Sequence, residues 1–182
     1  MKTALARFGT FFILITAVAA TSASVFASSP SGAIRSSVPD ARLVGEGQMT
    51  FLGFRIFNAE LFAPGGIYQR SNPFALRLTY LRNFKGTAIS DQTIKELTRL
   101  GAGTPNRRQA WREQMNRIFP NVSKGQTITG IRKNSRTTVF YSNGRRIGEI
   151  SDPAFTGAFF DIWLGTNTKN PKLRARLVGA GS

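Results

Sequence analysis

Residues 142–165, SNGRRIGEISDPAFTGAFFDIWLG, run from a hairpin into a helix without interruption, and this junction decides the fold class. Asn143-Gly144 is the strongest short-range hairpin signal, because both residues tolerate the positive φ that a type I′ turn requires. Asp152-Pro153 then reads as an N-cap followed by proline at the first helical position, where the missing N–H has no intrahelical partner to lose. The helix it opens carries Phe155, Phe159 and Ile162 on one face with Trp163 beside them, and Gly165 stands where it should end.

Working outward, the residues from Gly125 to Ile150 supply strands around 127–132, 137–142 and 145–150, linked by turns at Asn134-Ser135 and Asn143-Gly144. Further upstream, Thr104-Pro105 opens a helix on which Trp111, Met115, Ile118 and Phe119 recur at helical spacing until Pro120. A shorter helix is predicted over 91–100, with Ser90 as N-cap, Ile94 and Leu97 inward, and Gly101 as the stop. Phe74, Leu76, Leu78 and Tyr80 alternate with less apolar residues, so this segment is a strand with one face in the core. QMTFLGFRIFNAELF, residues 48–62, is either a strand pair or one strand bent at Gly53. Asn170-Pro171 opens a last short helix that presents Leu173 and Leu177. Strands, two helices, strands and two helices, with adjacent hairpins, make an α+β layout in which helices gather on one face of an antiparallel sheet.

Residues 1–27 have the pattern of a secretory signal: Lys2 and Arg7, an apolar run from Phe8 to Ala20 too short to span a bilayer, and Val25-Phe26-Ala27 as an A-x-A-like cleavage site. Residues 28–42 begin SSPSGAIRSSVP and read as a flexible leader, and the folded domain is expected over 43–182. Periplasmic or secreted destinations follow from this reading. Of 25 Lys and Arg, two fall in the signal, which leaves 23 against 9 acidic residues and a formal charge of about +14. Such an excess favours anionic surfaces, and Arg107, Arg108, Arg112 and Arg117 concentrate part of it on one helix. An anionic envelope surface is the partner this charge fits; nucleic acid is less favoured. A solvated helical face explains the same arginines more simply.

The chain has no cysteine and no histidine. Thiol nucleophiles, Cys/His zinc sites, Ser-His-Asp triads and imidazole acid–base chemistry are therefore excluded. No metal site and no cofactor is expected. Gly101-Ala102-Gly103-Thr104-Pro105 lacks the lysine of a phosphate loop and reads as a helix-ending glycine pair. Among the carboxylates, Asp152 is a cap, Glu113 lies on an exposed helical face and Asp161 beside an apolar stripe. Glu46, Glu60, Glu96 and Glu149 have no assignment from spacing, and no convergent acid–base pair is visible.

Four stretches, LVGEGQMTFLGFRIFNAELFAP, FALRLTYLRNFKG, WREQMNRIFPNV and the 143–165 block, occur here in one order between Leu43 and Gly179. Together they make the chain similar to the exported bacterial branch of the chalcone isomerase-like family. The resemblance implies an open-faced β-sandwich: a large antiparallel sheet backed by a helical layer, with a ligand cleft between them. In the family's plant enzymes an arginine, a tyrosine, a lysine, an asparagine and a threonine line that cleft, and the arginine is thought to assist ring closure of a phenolate onto an enone. At the corresponding places this sequence has Gly47 within Gly45 to Gln48 for the arginine, Ile89 for the tyrosine, Gln92 for the lysine and Glu96 near the asparagine. The threonine belongs near Pro171-Lys172. Losing an oxyanion-stabilising guanidinium removes on the order of 3 kcal/mol of transition-state stabilisation, so no catalytic residue is assigned and flavanone-forming activity is expected to be absent.

By resemblance, then, Gly47, Tyr80, Ile89, Gln92 and Glu96 are the candidate cleft positions. The leading reading is an exported, non-catalytic binder of an apolar small molecule, a fatty acid or an aromatic compound. Gln92 and Glu96 lie one helical turn apart and share a face, which disfavours a ligand carboxylate close to Glu96. Two alternatives stand beside it: an isomerase of the intramolecular lyase type using Glu96 or another carboxylate as base, and a basic protein that docks on the envelope surface.

Overall fold

The computed structural model describes residues 30–179. The signal segment expected over 1–27 lies outside them. Its elements are α1 (Gly32–Ser37), β1 (Ala41–Phe51), β2 (Phe54–Pro64), β3 (Phe74–Tyr80), α2 (Gly86–Arg99), α3 (Pro105–Ile118), β4 (Thr127–Arg132), β5 (Thr137–Ser142), β6 (Arg145–Ser151), α4 (Pro153–Leu164) and α5 (Pro171–Leu177).

The six strands form one antiparallel sheet in the order β1-β2-β3-β4-β5-β6. Each strand pairs with its sequence neighbours, and β3 reaches β4 only after the chain has made α2 and α3. Alternation along the strands sends Phe57, Leu61, Leu76, Leu78, Tyr80, Ile128 and Phe140 to one face, where α2 to α5 bury them. An open-faced β-sandwich, a large antiparallel sheet backed by a helical layer, is the architecture the resemblance implied.

The other face of the sheet is polar over most of its area, with Asn58, Glu60, Arg77, Thr79, Thr127 and Thr129 in register. One end of it is apolar: Phe62, Ala75 and Ile131 pack with Ile34 and Val38, which are buried. This corrects the flexible leader expected over 28–42. Residues 32–37 are helical and β1 starts at Ala41, because the two apolar side chains of an otherwise Ser/Pro/Gly-rich stretch have an apolar patch to cover.

Two junctions hold the helical layer in place. Asp152 caps α4 by accepting hydrogen bonds from the Ala154 and Phe155 amides at 2.8 and 3.2 Å, and it also accepts from the Trp111 indole at 2.9 Å and the Arg107 Nε at 3.1 Å. One carboxylate thus ties α3 to the start of α4. At the other end, α5 lies against β1 where Gly45 and Gly47 face it. A β-carbon on Gly45 would overlap the Arg176 carbonyl and come within 2.8 Å of the Leu177 carbonyl; one on Gly47 would lie 2.7 Å from Leu173 Cδ1. Only glycine permits this approach.

Helix α2 begins earlier than the sequence predicted, at Gly86, with Lys85 rather than Ser90 at the cap position. Ser90 is buried inside the helix and its hydroxyl donates to the Gly86 carbonyl at 3.2 Å. A serine four residues into a helix can satisfy itself in this way, so its presence did not mark the boundary. Asn170 occupies the cap position of α5 without a side-chain cap bond; the Thr168 hydroxyl accepts from its amide instead.

Candidate functional site

Between α2 and the β1–β3 end of the sheet lies a cleft of about 350 Å³. The sheet supplies Met49, Phe51, Ile56, Phe57, Leu78 and Tyr80, the β3–α2 loop Phe84, α2 contributes Ala88, Ile89, Gln92 and Thr93, and Trp163 of α4 closes the inner side. None of these residues is charged. The cleft exists because α2 stands away from this end of the sheet while α4 and α5 pack directly on the remainder, where Gly130 and Gly47 let Phe159 and Leu173 approach.

The walls are held by ring contacts. Tyr80 meets Phe57 edge-on at 6.1 Å and Phe84 at 5.6 Å, and Trp163 meets Phe159 edge-on at 5.2 Å. Three polar groups interrupt the apolar lining. The Thr93 hydroxyl donates to the Ile89 carbonyl at 2.8 Å and is committed to its own helix. The Gln92 amide reaches the Glu96 carboxylate only at a long 3.4 Å. The Tyr80 hydroxyl has no hydrogen-bond partner among the described residues. Burial pushes its pKa far above the ordinary tyrosine value, so it stays a neutral hydrogen-bond donor across the physiological range.

The structure brings three of the five sequence-derived positions together: Tyr80, Ile89 and Gln92 line this cleft. Glu96 sits one turn further along α2 and points elsewhere. It is largely buried and paired with Arg99 at 2.7 Å and with Lys169 at 3.0 Å. Burial alone would raise its pKa, but the hydrogen bonds from Arg99 and Lys169 outweigh that and hold it below the usual glutamate value. A carboxylate held ionised by two cations is a poor general base. Gly47 lies under α5 and borders a different depression, on the polar face of the sheet.

That second depression is about 720 Å³ and is lined by Gln48, Asn58, Glu60, Arg77, Thr79 and Thr129 among others. Its centre is the Glu60–Arg77 pair, with both carboxylate oxygens accepting from the guanidinium at 2.6 Å. The pair accounts for Glu60, which spacing left unassigned. Glu149 pairs with Arg146 at 2.9 Å, and Asp161 pairs with Arg70 at 2.7 Å, a partner 91 positions away that no local pattern could disclose.

The arginine cluster on α3 is largely engaged within the protein. Arg107 holds Asp152, Arg112 holds Asp91 at 2.7 Å, and Arg108 donates to the Ala102 and Gly103 carbonyls that end the preceding segment. Among the described residues no group of acidic side chains could hold a metal ion.

Comparison with known proteins places this geometry. A family model described as chalcone isomerase-like matches residues 63–179. Among solved structures, the crystal structure of the Arabidopsis thaliana fatty-acid binding protein superposes with a TM-score of 0.59 at 14% identity, covering 78% of this chain and 88% of that one. No curated protein matches by sequence.

Proposed function

The chain belongs to the chalcone isomerase-like family, and from that premise we propose that it is a non-catalytic binder of an apolar small molecule, a fatty-acyl chain or an aromatic compound, held between α2 and β1–β3. The observation that carries the reading is the lining of the cleft: aliphatic and aromatic side chains on both walls, with the Tyr80 hydroxyl and the Gln92 amide as polar anchors. Because the lining holds no cation, the part of the ligand that enters the cleft is uncharged, and any carboxylate stays at the mouth. One solved structure of similar fold is that of a fatty-acid binding protein, which supports an acyl chain as occupant.

The isomerase alternative loses support from the same geometry. Glu96, the proposed base, is engaged by Arg99 and Lys169, and the lining of the cleft carries no arginine or lysine. The amino-terminal pattern of Lys2, Arg7, Phe8–Ala20 and Val25–Ala27 extends the proposal to an exported protein that binds its ligand in the periplasm or outside the cell.

Trp163 provides the test. It lines the cleft and is half-buried, whereas Trp111 is buried against Phe155 and bonded to Asp152. Titration with a fluorescent fatty-acid analogue is expected to quench tryptophan emission saturably by energy transfer from Trp163. Ile89→Trp, which fills the cleft from the helix side, should weaken analogue binding by at least tenfold while leaving the far-UV circular dichroism unchanged. Equal binding to the two proteins would refute the site.

A further inference from the structure

The β1–β2 hairpin ends in Phe51-Leu52-Gly53-Phe54, and its side chains face solvent. Four large hydrophobic residues are exposed among the described residues, and three of them are here: Phe51 at 61%, Leu52 at 80% and Phe54 at 57%. Single exposed apolar side chains are ordinary on protein surfaces, but three adjacent on one projecting turn mark an interaction site.

The turn is also built from an unfavourable residue. Leu52 and Gly53 have φ of 48° and 77°, nearly the values of Asn143 and Gly144 in the β5–β6 hairpin, 48° and 81°. The two hairpins use the same left-handed pair of conformations, which asparagine and glycine adopt readily and a bulky aliphatic residue does not. Where the geometry alone matters, the chain has Asn-Gly. At the exposed tip beside the cleft it has Leu-Gly, so the leucine opposes both local conformational preference and solvation.

The surroundings of the tip are cationic. Arg55 follows Phe54 directly, the Arg82 guanidinium stands 4.5 Å over the Phe54 ring, and Lys85 follows Phe84 of the cleft wall. All three are exposed, and none makes an ion pair within the described residues. Between Glu46 and Asp91 the sequence contains one acidic residue, Glu60, and it faces the opposite side of the sheet in its pair with Arg77. An apolar tip with one cation over its Phe54 ring and further exposed, unpaired cations next to Phe54 and Phe84 in the chain fits an anionic lipid surface: apolar side chains enter the acyl boundary while the cations meet head-group phosphates.

We propose that the Phe51–Phe54 turn is a membrane-insertion element for anionic phospholipid bilayers, with Leu52 and Phe54 entering the lipid and Arg55, Arg82 and Lys85 binding its phosphates. Phe51 is both part of the tip and part of the cleft lining, so docking sets the mouth of the cleft against the bilayer. The element acts whether or not the cleft holds a ligand.

The test places a tryptophan at the tip of the full chain, as Leu52→Trp and, in a second protein, Phe54→Trp; unsubstituted protein supplies the background from Trp111 and Trp163. With vesicles containing phosphatidylglycerol, tip emission should shift to the blue and be quenched by brominated lipid, and partition onto them should exceed that onto pure phosphatidylcholine by at least tenfold. Combining either reporter with Arg55→Gln and Arg82→Gln should lower partition onto the anionic vesicles by about tenfold or more. Combining Phe54→Trp with Leu52→Asn, which copies the other hairpin, should lower partition while unfolding no earlier than its parent. Both reporters staying silent on anionic vesicles, as a tip that docks a protein would, overturns the proposal. So does equal partition onto the two lipids.

Discussion

Replacing Asp152 by alanine is expected to remove about 3 kcal/mol of stability. Loss of the N-cap of α4 costs about 1 kcal/mol. The buried Trp111 indole N–H, which donates to this carboxylate at 2.9 Å, is left without a partner, and such a group costs about 1–3 kcal/mol. The Arg107 contact adds little, because that guanidinium is half exposed. For a domain of this size 3 kcal/mol lowers the melting temperature by roughly 6–12 °C. Asp152→Asn separates the contributions: the cap amides bond one carboxylate oxygen and the indole the other, so asparagine keeps the cap through its single oxygen but sets an NH2 against the indole N–H, and it should still cost about 1–3 kcal/mol. Acid unfolding provides a second readout. Burial raises the Asp152 pKa, but the Trp111, Phe155, Ala154 and Arg107 hydrogen bonds outweigh it and the folded-state value lies below the ordinary one. The stabilisation is therefore complete above the unfolded-state pKa, about 4, and disappears as pH falls through the lower folded-state value. Urea unfolding of the three proteins between pH 7 and 2.5 should show the gap to Asp152→Asn narrowing only below about pH 4. An alanine variant within 0.5 kcal/mol of the parent at pH 7 would refute the reasoning that this carboxylate joins α3 to α4.

Gly45→Ala should destabilise by about 1–3 kcal/mol or more, because the added methyl overlaps the Arg176 carbonyl; a loss of protection in α5 by hydrogen exchange, without loss in β4–β6, would locate the damage. Glu96→Gln should cost about 1 kcal/mol through the Arg99 and Lys169 pairs and leave affinity for a fluorescent fatty acid within twofold, whereas a carboxylate active in the cleft would change it far more.

The parts of this fold legible in the sequence are those governed by local chemistry. Asn143-Gly144 makes the expected turn, Asp152 accepts from the first amides of α4, and the Trp111–Met115 stripe is buried, because each signal lies within a few residues of its consequence. The α1 helix was hidden in a stretch whose composition reads as a linker, and only the partner surface of Phe62, Ala75 and Ile131 explains why Ile34 and Val38 fold onto it. The docking of α5 on Gly45 and Gly47, and the pairing of Asp161 with Arg70, depend on contacts between residues far apart in the chain, which periodicity does not encode. For the cleft, resemblance located Tyr80, Ile89 and Gln92, while Met49, Ile56, Phe84 and Trp163 were not assigned to it. Their signal was only an apolar side chain, and core residues give the same signal. The exposed tip was missed for a related reason: Gly53 read equally well as a bend or a turn, and β-favouring residues on both sides concealed that they lie outside the core.

The most direct test of the account is a crystal structure of the protein saturated with a long-chain fatty acid. The predicted result is an acyl chain between α2 and β1–β3, in contact with Ile89, Leu78 and Trp163, its path passing the Tyr80 hydroxyl. A chain lying instead over the Glu60–Arg77 face of the sheet, or a cleft that remains closed in protein shown to bind the acid in solution, would contradict it.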